Sequence, residues 1–582
     1  MKTKLADLVR RAAFDYLSSL NATVPESLDV TLSTPKNPEY GDYSAQIAFA
    51  LARQLRRPPL EIAEGIVARW PSDPLVASVE VAPPGFINIR VRVEGVSETI
   101  RAILAQGDAF GGSRLGEGKK AQVEFVSANP TGPLHIGHAR NAIAGDTLAR
   151  ILEAAGYAVT REYYFNDAGV QIANLAASLW VRYLQALGRD DQLGADGYHG
   201  QYLVEIANEL RNKYAETLAI AHDGRPIGEP GLRFIQMRDP GFFGEYAVGA
   251  ILRLIEEDLD SLDIRFDVWT TETSMYREGR VEAVLRRLRE RGVVYEQDGA
   301  VWLRTTPFGD EKDRVLVKSD GSMTYLVPDI AYHDQKLERG FDLVVDVLGS
   351  DHHGYVPRLR AAIEALGHDA SRVRWRLYQM VTLLRSGVQT KLSTRAGDFI
   401  TFKEMVAELG KDVVRFFFLM RELDSHLVFD WDLARKTDWN ENPVYYVQYA
   451  HARICSVFEK AASLGFRWEG IEASPLERLT LAEEQALIKQ LLGFGEAVER
   501  AARDLEPHGL TLYLRDLAAT FHNYFTRGTR DPEGRVIQPD DRGLMQARMA
   551  LLMAVRTVLR NGFRLLGLSA PEKMCRATMN DE

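Results

Sequence analysis

Residues 122–156 constrain the fold more than any other part of this chain: a short apolar run passes through a turn rich in Pro and Gly directly into a long helix. Residues 122–128 read as a buried strand, 129–133 as a turn, and 135 to about 155 as a helix closed by Gly156. Pro133 suits the first helical turn, where a missing N–H costs nothing. A second strand-like run at 157–165 follows, so the segment predicts the opening unit of a doubly wound parallel sheet.

A helix that starts at the end of such a strand presents free backbone N–H groups and the positive end of its dipole, which attracts phosphate. His135 and His138 stand i, i+3 at that start, share one face, and can both reach oxygens around a single phosphorus. Gly137 between them lets a flat ring such as adenine lie close to the backbone. For the four residues alone, a helix start with two partly exposed histidines is the competing account.

At 582 residues the chain predicts three or four domains, since single cores rarely exceed about 250–300 residues. Residues 1–115, which end in the Gly-rich stretch 107–118, predict a separate α+β domain. Strand-like and helical runs alternate over 116–400, as an α/β domain requires, with 184–308 too long for a crossover and read as an insertion. Residues 401–582 turn almost wholly helical and predict an all-α bundle. Strands are expected at 122–128, 159–164, 343–348 and 377–384, and helices at 412–421, 443–464, 482–505 and 542–566.

Cys455 and Cys575 are too few and too far apart for a disulfide framework or a thiolate zinc site, so a reducing cytoplasm and no bound zinc are expected. The first twenty residues carry charges at helical spacing and predict a surface helix rather than a signal peptide, and no run is long enough to span a bilayer. A net charge of −10 argues against general nucleic-acid affinity while leaving room for a local basic surface.

Four further groups carry chemistry. Lys391 and Ser393 lie in a small Gly-containing loop from which a mobile ammonium can swing onto phosphate; an exposed turn with two cations is the alternative. His352, in the run Gly349-Ser350-Asp351-His352-His353-Gly354-Tyr355, follows an apolar strand, where open sheets bind ligands; a buried histidine pair is the competitor. Glu124, Tyr325 and Asp329 raise the prospect of a cationic substrate, because a planar guanidinium matches carboxylates and a hydroxyl; a turn capped by aspartate explains Asp329 equally well. Tyr445, Tyr446 and Tyr449, with Gln448, His451 and Arg453, offer either a base-stacking surface or a helix seam, and the arginines from 527 to 564 form the clearest basic region.

Together these residues resemble a class I aminoacyl-tRNA synthetase, and the chain is similar over nearly its whole length to bacterial-type arginyl-tRNA synthetases. The run from Val123 to His138 is similar to that family's extended HIGH signature, followed by Asn166-Asp167-Ala168-Gly169-Val170-Gln171. Asn37-Pro38-Glu39-Tyr40-Gly41-Asp42-Tyr43-Ser44 resembles its tRNA-elbow domain, and Asn442-Pro443-Val444-Tyr445-Tyr446 with the ending at Met574 resembles its anticodon-binding domain. The resemblance implies a Rossmann-type catalytic domain that joins L-arginine to ATP, with Mg²⁺ accompanying the nucleotide, and transfers the arginyl group to tRNA(Arg). It assigns Glu124, Ser127, Asn129, Tyr325, Asp329 and His352 to arginine, His135, Gly137, His138, Lys391 and Ser393 to ATP, with His135, His138 and Lys391 catalytic, and Tyr446, Tyr449 and Met574 to tRNA. A cytoplasmic monomer is implied. One departure stands out: the family's Lys-Met-Ser-Lys signature reads Lys391-Leu392-Ser393-Thr394, with Arg395 as the nearest cation to the missing lysine. Another nucleotidyltransferase with the same helix start, or a non-catalytic RNA-binding paralogue, is the alternative.

Overall fold

The computed structural model describes residues 2–22, 28, 30–33, 35, 40–73, 75–91, 93–214, 218, 241–390 and 400–574. Lys391, Ser393 and residues 37–39 lie outside them. The chain divides into two compact units, one of Met1–Gly111, Ala450–Glu496 and Asp516–Asn561, the other of Gly112–Tyr449, Ala497–Arg515 and Gly562–Glu582.

The second unit is built on five parallel strands: β1 (Lys120–Glu124), β2 (Ala158–Phe165), β3 (Val268–Thr271), β4 (Leu343–Gly349) and β5 (Val373–Tyr378). Their order is β5-β4-β1-β2-β3. The chain winds outward from β1 to β3 and then returns to the far side of β1, so the winding direction reverses between β1 and β4. The crevice at the carboxyl ends of those two strands is where an open α/β sheet takes its ligand. Helix α1 (Ile136–Ala154) opens there after β1, followed by α2 (Gly169–Ala186), α3 (Gly241–Ser261), α4 (Leu326–Glu338) and α5 (Lys411–Leu419).

Three local expectations in this unit need correction. The first strand ends at Glu124, not at 128, because Val126 and Ser127 take φ of 64° and 43°. A β-branched residue enters that left-handed region only when held there; Asn141 Oδ1 accepts from Val126 N at 2.8 Å, and the Ser127 hydroxyl donates to Glu124 Oε1 at 2.8 Å. Pro133 lies in the turn, ahead of His135, which is the N-cap of α1. The run 377–384 divides between two sheets: β5 ends at Tyr378, and Val381–Arg385 pairs with Leu427–Asp430 and Val388–Thr390 in a separate three-stranded sheet. The break has a cause in Arg140, whose buried guanidinium donates to Gln379 O at 2.7 Å, Ser425 O at 2.8 Å and Glu422 O at 2.6 Å.

Within the first unit, Leu5, Val9, Ala12 and Leu17 of the helix Lys2–Ser19 share one buried core with Ile62 and with Ile87 and Ile89 of an antiparallel sheet of four strands. The helical stretch expected at 482–505 is two helices, Ala482–Leu492 and Phe494–Asp504, interrupted at Gly493. The helix His508–Arg530 was not among those expected. No helix among the described residues is long and apolar enough to cross a membrane.

Helix α1 is buried almost throughout, polar residues included. Asp146 meets Arg415 of α5 at 2.5 Å, and Arg415 also donates to Leu262 O at 2.9 Å and Leu566 O at 2.8 Å. Burial works to raise the Asp146 carboxyl, but Arg415 and Arg150 outweigh it and hold the group below the usual range. Arg415→Ala leaves that charge buried with one partner fewer, so we expect a loss of about 3–5 kcal/mol of stability. Urea denaturation followed by tryptophan fluorescence checks it; an unchanged midpoint would show that the pair contributes nothing.

Candidate active site

His135 has an extended backbone, with φ −129° and ψ 169°, and its Nδ1 accepts from Gly137 N at 3.1 Å. The N–H of His135 in turn donates to His138 Nδ1 at 3.4 Å, and the two rings lie 4.0 Å apart, tilted by 33°. A side chain at 137 would bring its Cβ to 2.8 Å from the His135 ring, so here Gly137 makes room for the imidazole itself. Burial lowers both imidazoles, His138 to about 3. Both are therefore neutral near pH 7, and with Nδ1 accepting, the proton sits on Nε2. Two neutral N–H donors thus stand at the positive end of α1.

They line a cleft of about 800 Å³ together with Asn129, Gly132, Gln171, His199 and Tyr202. The Tyr202 hydroxyl donates to Thr131 O at 2.6 Å, and Leu134 N donates to the buried Asp258 carboxylate at 3.0 Å, which fixes the turn from both sides. Ile136 N donates to Ile400 O at 3.1 Å, so Ile400 lies beside the start of α1.

Acidic groups gather on the other side of the crevice. Asp329 occupies the first turn of α4, where the Tyr355 hydroxyl donates to its Oδ2. Glu272, at the end of β3, accepts from Asn166 Nδ2 at 2.9 Å. Burial, with the charges of Asp329, Glu272 and Glu124 adding to it, raises the Tyr164 phenol far above its ordinary value. Burial raises Asp329, and burial with the charges of Asp329 and Asp167 pushes Glu272 up to about 7. His352 is exposed but close enough to act on Asp329.

The structure therefore brings Glu124, Ser127, Asp329 and His352 together, and shows that Glu124 is already occupied: Oε1 accepts from Ser127, and Oε2 is paired with Lys336. Asn129 holds the loop after β2, accepting from Asn166 N at 3.1 Å and donating to Gln171 Oε1 at 2.8 Å. Tyr325 stands at the N-cap of α4 with 81% of its surface exposed. Glu272, Tyr355 and Lys336 were not anticipated. Tyr355 lay within a motif already singled out, whereas Glu272 follows a strand of four residues that shows no periodicity to find it by.

In the helix Pro443–Ser463, Tyr446 and Tyr449 form an aromatic group with Trp439, at ring distances of 6.1 and 4.7 Å. Two neighbours expected beside that surface turn inward: Gln448 donates to Asp412 Oδ2 at 2.7 Å, and His451 is buried. Met574 is half-buried. Much of the basic region is neutralised, with Arg527 paired to Glu483 at 2.7 Å, the buried Arg548 to Glu484 at 2.7 Å, and Arg542 to Glu469.

A parallel sheet of this order, with a His-x-Gly-His helix start at its switch point, defines a nucleotide-binding catalytic domain of the class I synthetase type. Family models agree along the chain: an arginyl tRNA synthetase N terminal domain matches residues 2–91, a class I (R) tRNA synthetase catalytic domain 99–428, and a DALR anticodon binding domain 447–574. The chain is 45% identical over 579 residues to an arginine–tRNA ligase of Geobacillus kaustophilus and 43% identical over 579 residues to that of Bacillus subtilis, with 99% of each chain covered. It superposes on the Thermus thermophilus arginyl-tRNA synthetase with a TM-score of 0.75 at 26% identity, covering 98% of this chain and all of that one. The chain belongs to the arginyl-tRNA synthetase family.

The imidazole assignment is directly measurable. In ¹⁵N-histidine-labelled protein at about pH 6, where a free imidazole is largely charged, His138 should give the spectrum of a neutral ring protonated on Nε2. An imidazolium, or a proton on Nδ1, would contradict it.

Proposed function

We propose that this chain is an arginine–tRNA ligase: it activates L-arginine with ATP to arginyl-adenylate, releases pyrophosphate, and esterifies the terminal adenosine of tRNA(Arg). The observation that carries this reading is two neutral imidazole donors in a cleft whose lining residue Asn129 is joined through Asn166 to Glu272, one of a cluster of carboxylates. The donors suit a polyphosphate, the carboxylates a guanidinium.

No side chain acts as nucleophile in this reading. The carboxylate of arginine attacks the α-phosphorus in line, so the protein positions two reactants and stabilises charge on the pentacoordinate phosphorus. His135 and His138 donate from Nε2 to phosphate oxygens, and neutral donors serve there because they need not be desolvated as charges. Gly137 packs beneath the nucleotide, and Lys391 and Ser393 meet its phosphates. Mg²⁺ carried by ATP would offset charge on the departing pyrophosphate. Asp329 and Glu272 hold the guanidinium, Glu124 and Ser127 form the floor of that pocket, and Asn129, Tyr325 and His352 border it. Tyr446, Tyr449 and Met574 contact the anticodon loop. The enzyme works as a monomer in the cytoplasm.

His138→Ala should slow adenylate formation by on the order of 10²–10³-fold, as loss of one preorganised donor does elsewhere, with a smaller effect on arginine binding. Rapid-quench measurement in the presence of tRNA decides it, and a wild-type rate would remove His138 from the chemistry.

Glu272 sets a pH dependence. Burial and the charges of Asp329 and Asp167 raise its carboxyl to about 7, and the ionised form is the one that attracts a cation. Arginine stays charged throughout, so the KM for arginine should fall as pH rises from about 6 to 8. In Glu272→Gln the KM should be higher and that slope lost. A slope that survives the substitution belongs to another group.

A further inference from the structure

Asp346 of β4, Glu124 of β1 and Glu162 of β2 are register partners on three adjacent strands, so three carboxylates form a row across the buried sheet. Like charges side by side in a sheet destabilise it unless cations intervene. Both cations come from α4 and its C-cap. Lys336, fully buried, places Nζ between Glu124 Oε2 and Asp346 Oδ1, the latter at 2.7 Å, and lies 4.2 Å above the Tyr332 ring. Arg339 meets Glu162 Oε2 at 2.6 Å. The His333 ring spans from Asp346 Oδ2 at 2.9 Å to Asp329 O at 2.8 Å. One continuous path therefore runs from Ser127 through Glu124, Lys336, Asp346 and His333 to the backbone of Asp329.

We propose that Lys336 is a positioning residue for arginine recognition: its ammonium locks α4 onto the carboxylate row and thereby fixes Asp329, two helical turns away, at the pocket. This rests on the assignment of Asp329 to arginine. Burial alone would discharge Lys336, but Asp346 and Glu124 outweigh it and keep the ammonium charged well above its ordinary range. An ordinary core residue would be apolar here. A cation clamped between two strands fixes the axial position of the helix, because sliding α4 by one residue would separate Lys336 from both carboxylates.

The test is Lys336→Met in the full-length enzyme, assayed by arginylation of tRNA. The KM for arginine should rise roughly tenfold or more, the scale of one lost charge-assisted contact, while the KM for ATP and kcat stay near wild type. An unchanged arginine KM, or arginine and ATP affinities falling together, would overturn the proposal. Should the single variant not fold, Lys336→Met combined with Asp346→Asn removes one cation and one carboxylate and leaves the net charge of the row unchanged. That double variant should still show the selective rise; recovery of the wild-type arginine KM would mean that Lys336 only neutralises charge. Asp329→Asn, measured alongside, separates the two readings: if it raises the arginine KM and the Lys336 variants do not, the pocket stands and the positioning role falls.

Discussion

Asn141 ties together the two strands on which the site depends. From within α1 its amide oxygen accepts from Val126 N just beyond β1, and its amide nitrogen donates to Val347 O of β4 at 3.0 Å. Those are the strands flanking the switch point, so a single buried side chain holds the crevice at a set width and the left-handed turn at Val126–Ser127 in place. The neighbouring polar residues of α1 do similar work farther out: Arg140 gathers three carbonyls after β5, and Asp146 receives Arg415. A helix buried on every side and bonded to each neighbour cannot shift without breaking several charged contacts, which is the rigidity that a positioning catalyst requires.

The crevice separates its two electrostatic tasks. At the start of α1 the donors are neutral, because burial removes the charge from His135 and His138. At the start of α4 and just after β3 the groups are acids, Asp329 raised by burial and Glu272 by burial and by the charges of Asp329 and Asp167, so part of their charge develops only as a cation binds. Neighbouring Glu124, also raised by burial, differs from them in being paired with Lys336. On the proposed reading, a substrate that is cationic at one end and carboxylate at the other would be oriented by these groups, with its carboxylate directed toward the phosphates.

Much of this was legible in the sequence. The strand, turn and helix at 122–156 were readable because apolar period and punctuation agreed there, and the histidines fall on one face by spacing alone. What stayed hidden was decided by distant partners. Nothing local reveals that Val126 will adopt a positive φ, since the cause is Asn141, fifteen residues on. Arg140 splits the expected strand at 377–384 from more than two hundred residues away. Glu272 and Lys336 are single charged residues in short or ordinary elements, and only the sheet order, which sets β3 beside β2 and β4 beside β1, brings them to the pocket. Arg548 read as part of a basic surface because its partner Glu484 is remote in sequence.

The central claim is that one crevice grips a cation and a polyphosphate at opposite ends through fixed groups. A crystal structure of the protein with arginine and a non-hydrolysable ATP analogue tests it most directly. The account predicts the guanidinium hydrogen-bonded to Asp329 with Glu272 beside it, the phosphates facing Nε2 of His135 and His138, and Lys336 still between Glu124 and Asp346. A guanidinium bound away from Asp329, or phosphates that leave both imidazoles uncontacted, would contradict it.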